Sequence, residues 1–171
     1  MAAPAVKKKG RRKKKVPART LLRRLHKKAD KAVSEYVRAM TAAEYAGKCP
    51  FCRERPIEVC FHFVRRGRKI LRWDLRNVIG SCSADNYHEY RNPDPYRAWY
   101  IRRFGVEQYL SLVDESAAAF EPTAEYLSGL VERFTAALET LKAPGSAATD
   151  IIPPVTPAPA DPTYGTKPET A

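Results

Sequence analysis

The sequence predicts an α+β protein in which a small two-stranded core, held by zinc, is flanked by helices. Cysteines stand on both sides of a short segment rich in β-branched and aromatic residues, a pattern typical of a zinc knot around a hairpin. Apolar residues at three- and four-residue steps precede and follow this core, as in amphipathic helices. With 171 residues, the chain suits one ordinary domain with tails better than two domains.

The two ends of the chain differ in composition from the middle. Residues 1–16 are basic and carry almost nothing to bury, which predicts a disordered arm. Residues 143–171 hold seven of the 14 prolines, which predicts a flexible tail. Residues 17–142 are therefore predicted to form a single domain with helices at both of its ends.

One helix is predicted before the core and three more after it. Pro17 suits the first turn of a helix over residues 17–46, and Gly47 suits the cap beyond its last turn. The later helices are predicted over residues 95–104, 106–120 and 123–142. The last of these is acidic and carries an apolar stripe, so it could pair two protomers in a homodimer or bind a protein partner.

Two strands and a short helix are predicted within the core. Residues 57–64 are rich in β-branched and aromatic side chains and predict the first strand. Residues 65–68 supply a turn in which Gly67 can adopt a positive φ. Residues 70–79 predict the second strand, and residues 82–91 predict the short helix.

The spacing of the cysteines indicates a structural zinc site. Cys49, Cys52 and Cys82 supply three thiolate ligands, and a closed structural site needs four. Asp85 stands where a second Cys-x-x-Cys pair would place its last ligand. Cys60 is the alternative fourth ligand, although a free cysteine is most often a small buried apolar residue. The third alternative is a degenerate knot that binds no zinc.

The charge of the chain is strongly positive and unevenly placed. The net charge is +12, with 31 Lys and Arg against 19 Asp and Glu. Residues 1–28 hold 13 basic and no acidic residues, whereas residues 106–171 hold three basic and ten acidic residues. Basic clusters of this size favour contact with a polyanion, most simply a nucleic acid, over a merely solubilising tail.

No apolar stretch approaches the length of about 18 residues that a membrane span requires, so no membrane partner is expected. The N-terminus lacks the apolar segment of a secretory signal. Four cysteines, two of them in one Cys-x-x-Cys, favour metal binding in a reducing compartment. A cytoplasmic location is therefore expected.

A possible catalytic centre lies inside the cysteine frame. His62, Asn77 and Asn86 follow one another in the order found in HNH-type nucleases. His62 would activate a water molecule, and Asn77 would fix the connecting loop and thereby His62. Asn86 would hold a catalytic Mg²⁺ or Mn²⁺, with help from His88 or Glu58. The structural alternatives are a buried core histidine and a turn-capping asparagine.

Basic side chains near the hairpin would hold the phosphates of the nucleic acid, and those of the arm would add affinity that does not depend on sequence. The candidates are Arg65, Arg66, Arg68, Lys69 and Arg72 in the hairpin and Lys13, Lys14 and Lys15 in the arm. No predicted helix combines Arg, Asn and Gln in a pattern that would read base edges.

Six short phrases occur in order over some 90 residues. They are Ser34-Glu35-Tyr36-Val37-Arg38, Cys49 with Cys52, Phe61-His62-Phe63, the run from Leu71 to Asn77, the run from Ser81 to Asn86, and Arg91-Asn92 followed by Tyr96-Arg97 and Phe104-Gly105. In this order and spacing, residues 27–114 resemble the NinG (Rap) recombination proteins of lambdoid bacteriophages, which belong to the HNH or ββα-metal nucleases. Asp85 stands in place of the family's fourth cysteine, and Phe61 in place of the small residue before the histidine.

The resemblance implies a metal-dependent endonuclease that acts on branched DNA intermediates of recombination, in the host cytoplasm if a phage encodes it. An alternative is a zinc-knot DNA-binding protein without catalysis, which would assist recombination or replication. A third hypothesis is an RNA-binding or virion-associated basic protein. The set of metal ligands around His62 distinguishes the first hypothesis from the second.

Overall fold

A computed structural model describes residues 17–143, and within them the chain is an α+β protein with five α-helices and one two-stranded sheet. The predicted arm and most of the predicted tail lie outside the described residues. The elements in chain order are α1 (Ala18–Glu44), β1 (Val59–His62), β2 (Val78–Ser81), α2 (Ser83–Glu89), α3 (Asp94–Phe104), α4 (Val106–Glu115) and α5 (Ala124–Lys142). The α+β class is confirmed.

The long helix α1 packs against α5 and against one face of the sheet. It begins after Pro17 and is followed by Gly47, whose φ of 76° and N–H bond to the carbonyl of Ala42 (2.8 Å) close the helix end. Its apolar face enters the first core cluster. That cluster consists of Ala29, Ala32, Val33, Tyr36, Val37, Trp73, Val78, Leu127, Leu130, Phe134 and Leu138.

The antiparallel pair β1 and β2 is covered on both faces. Cys60 packs against the first core cluster, to which Val78 also belongs, whereas Phe61 and Ile79 belong to a second cluster on the opposite face. The second core cluster consists of Cys49, Phe51, Phe61, Leu71, Ile79, Cys82, Tyr96, Trp99, Tyr100 and Leu112. The short sheet therefore divides two apolar cores, each covered by different helices.

Helix α1 approaches β2 most closely at Gly80. The Gly80 N–H donates to Oγ1 of Thr41 at 2.9 Å, and Thr41 is fully buried. A Cβ at Gly80 would lie 2.8 Å from Cγ2 of Ile57 and 3.0 Å from Cβ of Thr41. Glycine is therefore required here for α1 and β2 to approach this closely.

The second strand predicted over residues 70–79 is largely wrong. A 3₁₀ turn (Lys69–Leu71) and a series of tight turns occupy most of that segment, and β2 begins only at Val78. The N–H groups of Asp74 and Asn77 donate to carbonyls three residues earlier, at 3.3 and 2.9 Å, rather than to a neighbouring strand. The first strand is shorter than predicted as well, because only Val59–His62 has a pairing partner.

The later helices are close to their predicted positions. Helix α3 begins at Asp94, one residue before the predicted start, and α4 ends at Glu115 rather than at residue 120. Thr123 caps α5, because its side chain accepts a hydrogen bond from the Tyr126 N–H. Among the helices of residues 17–143, none has both the length and the apolar character needed to cross a lipid bilayer.

Candidate metal centre and its surroundings

Four side chains meet where the loop after α1 faces the start of α2. One ligand atom from each of Cys49, Cys52, Cys82 and Asp85 lies within 4.8 Å of every other. The four are therefore close enough to hold a single metal ion. This is the ligand set that the spacing predicted, with Asp85 in the fourth position.

The fold builds this cluster from two local structures. The Cys49 N–H donates to the carbonyl of Arg55 (2.8 Å) and the Arg53 N–H to the carbonyl of Cys49 (2.9 Å), which folds the first pair of cysteines into a tight loop. Cys82 is the N-cap of α2, and its sulfur accepts from the Asp85 N–H at 3.4 Å. One helical turn thus places both later ligands on the same side.

The distances within the cluster are those of a compact four-ligand site. The sulfurs of Cys52 and Cys82 are 3.9 Å apart, and Oδ2 of Asp85 lies 3.2 Å from the sulfur of Cys49 and 3.0 Å from that of Cys82. In a tetrahedral zinc site with Zn–S about 2.3 Å and Zn–O about 2.1 Å, the ligands lie about 3.5–3.8 Å apart. The three distances differ from these values by about 0.6 Å or less, and all four ligand atoms lie within 4.8 Å of one another, so small shifts of the side chains would accommodate a zinc ion.

The electrostatics of the cluster are those of thiols that surround a carboxylate. Burial raises the pKa values of Cys49 and Cys82, so both thiols donate to Asp85. Burial also acts to raise the pKa of Asp85, but hydrogen bonds from the thiols and from Tyr96 outweigh it, and the pKa is lowered. A divalent cation would displace the thiol protons and take over their role beside the carboxylate.

His88 and Tyr96 form an outer layer around this cluster. The Tyr96 hydroxyl donates to Oδ1 of Asp85 at 3.1 Å, and Nδ1 of His88 lies 3.1 Å from the same hydroxyl. Asp85 is thereby oriented with Oδ2 toward the thiols. His88 was predicted to assist a catalytic metal, and the structure instead places it two hydrogen bonds from the cysteine cluster.

Cys60 is not part of the cluster. It lies on the opposite face of β1, packed against the first core cluster, and burial raises its pKa to about 12. Of the two alternatives for the fourth ligand, the geometry selects Asp85. Cys60 is a small buried apolar residue in this fold.

His62 was expected to face the helix that carries Asn86, and it does not. It shares a face of β1 with Cys60, toward α1, whereas Phe61 points to the side of α2 and α3. Its Nε2 lies 3.1 Å from the carbonyl oxygen of Arg72, which can only accept, so Nε2 carries the proton. Burial, and then the charges of nearby arginines, lower the pKa of His62.

Asn77 makes the hydrogen bonds across the connecting loop that the sequence led us to expect. Its Oδ1 accepts from the Val64 N–H at 2.7 Å, and its Nδ2 donates to the carbonyls of Val64 (2.9 Å) and Leu71 (3.0 Å). The side chain is completely buried. Asn77 therefore fixes the path of the chain immediately after His62.

The remaining candidate metal ligands, Glu58 and Asn86, are both associated with α2. Oε2 of Glu58 accepts from the Ser83 N–H at 3.0 Å and so caps the first turn of α2. Asn86 lies on that helix, half-buried, and within residues 17–143 its side chain has no hydrogen-bond partner. Across the same residues, no second group of three or more His, Cys, Asp or Glu side chains comes together.

Three of the predicted phosphate-binding residues have carboxylate partners. Arg66 and Arg72 both bond to Asp30 of α1, at 2.6 and 2.7 Å, and Lys69 pairs with Glu121. Arg65 and Arg68 make no ion pair within 4.0 Å among the described residues, but the charge of Arg65 acts on the Glu89 carboxyl and opposes the rise in its pKa that burial causes. Lys13, Lys14 and Lys15 lie outside the described residues.

Two features of this region were missed by sequence reasoning. Asp30 accepts four hydrogen bonds from the loop between the strands, including one from Trp73 Nε1 at 3.0 Å, and nothing near it in the sequence indicates this. Tyr87 on α2 and Tyr90, which directly follows α2, are both exposed. Each lies next to an arginine side chain, Arg91 for Tyr87 and Arg65 for Tyr90. The run Tyr90-Arg91 and the later Tyr96-Arg97 could have signalled this pairing.

Comparison of the chain with protein-family models, with curated proteins and with solved structures gives no match in any of the three. The resemblance to the NinG proteins therefore stays an expectation from the sequence motifs.

Proposed function

We propose that this chain is a zinc-stabilised nucleic-acid-binding protein in which the metal has a structural role. The observation that carries the proposal is the basic face of α1, which the fold leaves unpaired. Five basic side chains on this face are exposed and make no ion pair with any described carboxylate, namely those of Arg19, Arg23, Arg24, Lys27 and Lys28. Unpaired charge of one sign on a single helix face is suited to a row of phosphates.

The ligand chemistry supports zinc as the metal. Three thiolates and one carboxylate form a soft, negatively charged set that zinc accepts and that Mg²⁺ and Ca²⁺ do not favour. Four protein ligands close a tetrahedral site, whereas catalytic zinc keeps one position for water or substrate. Cys49, Cys52, Cys82 and Asp85 would therefore join the loop after α1 to α2.

The basic face of α1 continues onto the loop between the strands. Asp30 lies one turn after Lys27, and Arg66 and Arg72 bond to it from that loop. A nucleic-acid backbone that follows the basic face of α1 would thus reach the arginines of this loop next. This arrangement supports contact with the backbone of a nucleic acid rather than the reading of its bases.

Removing two charges from this face should weaken nucleic-acid binding and reduce its salt dependence. For Arg23→Gln/Lys27→Gln we expect a lower affinity and a slope of log K against log salt that is less steep by up to about 0.9 for each phosphate that the variant no longer neutralises. Fluorescence anisotropy with a duplex at several salt concentrations measures both. The matched control is Arg133→Gln/Lys142→Gln on α5, which removes the same charge; equal reductions in affinity for the two pairs would contradict a binding face on α1.

A nuclease is the second candidate, and the loop fixed by Asn77 favours it. In that mechanism the loop holds the general base, and Asn77 bonds to both ends of the segment that follows His62. Against it stands the orientation of His62 toward α1, on the face of β1 opposite to Phe61, which packs on the side of α2 and α3. We therefore favour binding without cleavage.

A cleavage assay separates the two candidates. We expect the zinc-loaded protein to bind branched and linear DNA and to leave both intact in Mg²⁺ or Mn²⁺. Metal-dependent cleavage that His62→Ala abolishes and His26→Ala spares would instead establish the nuclease. His26 is a suitable control for the catalytic role because it lies on α1, against Trp73, and belongs to neither the candidate catalytic centre nor the metal cluster.

A further inference from the structure

Arginine and tyrosine side chains pair with one another around α2, α3 and α4. In three pairs the guanidinium lies over the ring, namely Arg65 with Tyr90 at 5.9 Å, Arg91 with Tyr87 at 5.2 Å and Arg97 with Tyr109 at 5.8 Å from the ring centroid. Tyr87 and Tyr90 are 61% and 66% exposed. We call these six residues the arginine–tyrosine surface.

A cavity of about 220 Å³ opens beside this surface, between β1 and helices α2 and α3. Phe61, Phe63 and Tyr109 form aromatic walls, and Arg65 and Arg97 also line it. The cavity thus combines flat apolar walls with two guanidinium groups. That combination suits a flat ring that carries an anionic group.

A carboxylate at the cavity adds hydrogen-bond acceptors. Glu89, near the end of α2, lines the cavity together with Arg65. A carboxylate accepts hydrogen bonds from the exocyclic amino groups of bases. Arg97 also pairs with Asp94 at 3.3 Å, but both side chains are well exposed, so this pair competes weakly with a phosphate.

We propose that the cavity and the arginine–tyrosine surface bind an unpaired nucleotide of a single-stranded nucleic acid. The base would lie against the aromatic walls, with its phosphate on Arg65 and Arg97. Neighbouring bases would stack on Tyr90 and Tyr87. This inference rests on the proposed nucleic-acid binding and adds to it a site that recognises single strands.

The preference for unpaired nucleotides follows from which surfaces of a base are free. In a duplex the ring faces are stacked on neighbouring bases, and only edges are presented in the grooves. An unpaired base offers its ring faces, which stack on aromatic and guanidinium groups. Exposed tyrosines beside an aromatic cavity can therefore contact a single strand in a way that no duplex allows.

Binding of short oligonucleotides by the full-length, zinc-loaded chain tests this inference. The probes are single-stranded DNA and RNA of twelve nucleotides and a DNA duplex of equal length, at one salt concentration. Because stacking contributes about 1–3 kcal/mol per base, Tyr90→Ala should weaken single-strand binding about five- to 150-fold and leave duplex binding within about twofold. Tyr90→Phe keeps the ring and should bind like the wild type.

A second measurement reports on the cavity itself. An oligonucleotide with one 2-aminopurine should lose fluorescence when its base stacks against the walls, and Arg65→Gln should reduce this quenching whereas Arg133→Gln on α5 should not. Weaker binding of single-stranded DNA, single-stranded RNA or both by these variants, with duplex binding kept, supports the site and identifies the kind of strand that it binds. Single strands that bind with wild-type affinity to both Tyr90→Ala and Arg65→Gln would overturn the inference but not the proposed function. Absence of binding to single strand and duplex alike would overturn both.

Discussion

Replacing Cys82 by serine should abolish metal binding and unfold the half of the domain that is built on the second core cluster. Cys82 is at once a ligand candidate, the N-cap of α2 and a buried member of that cluster. In small zinc domains the free energy of metal binding is about 10–16 kcal/mol and is recovered as folding free energy. Whole domains are stable by only about 5–15 kcal/mol, so removing the metal should cost more than the rest of the fold can offset.

Metal content and thermal unfolding check this prediction. The wild type should hold one zinc per chain, and a strong chelator should lower its melting temperature, whereas Cys82→Ser should hold none and no longer respond to the chelator. Cys60→Ala is the matched control, since Cys60 is a cysteine on the opposite face of the sheet. A full equivalent of zinc in Cys82→Ser, or its loss in Cys60→Ala, would show that the ligands have been wrongly assigned.

The metal cluster could be predicted from the sequence because its geometry is local. A tight loop joins Cys49 to Cys52, and one helical turn joins Cys82 to Asp85, so spacing alone placed each pair. The choice between Asp85 and Cys60 could not be made in that way. It depended on which helix covers each face of β1, and this is decided by residues far away in the chain.

The orientation of His62 shows the same limit. The two-residue repeat of a strand correctly put His62 and Cys60 on one face, but it does not say what lies opposite that face. Here the first core cluster, made chiefly of α1 and α5, covers that face. The predicted second strand failed for a related reason, because long-range contacts to Asp30 and local turns between residues 69 and 77 replaced strand pairing.

Asp30→Asn should destabilise the fold while strengthening nucleic-acid binding. The Asp30 carboxylate holds Arg66, Arg72 and Trp73 against α1, and the side chains of Asp30 and Arg72 are only 20% and 23% exposed. Breaking a buried ion pair costs about 3–5 kcal/mol, and partial exposure reduces this to about 1–3 kcal/mol here. The two released arginines would face the basic side of α1 and become available to phosphates.

Glu121→Gln is the matched control for the prediction that Asp30→Asn lowers stability and raises nucleic-acid affinity. It also removes one negative charge that faces a basic residue of the loop, Lys69, but Glu121 is 83% exposed and its pair should contribute little to stability. In Asp30→Asn, denaturant unfolding should therefore show a lower stability, and duplex binding should show a higher affinity. The stability of Glu121→Gln should hardly change. Unchanged duplex affinity in Asp30→Asn would mean that Arg66 and Arg72 do not reach the nucleic acid.

The pH dependence provides an independent check on the role of Asp30. Burial acts to raise the pKa of Asp30, but hydrogen bonds and the charges of Arg72 and Arg66, with a smaller effect of Trp73, outweigh it and lower the pKa. A carboxylate whose pKa is lowered in the folded state stabilises that state above its unfolded pKa of about 3.9, and this stabilisation is lost as the pH falls below it. The difference in unfolding free energy between the wild type and Asp30→Asn should thus be largest near neutral pH and shrink below about pH 4. A difference that stayed constant through this range would mean that the carboxylate charge contributes nothing and that Asp30 acts only through its shape.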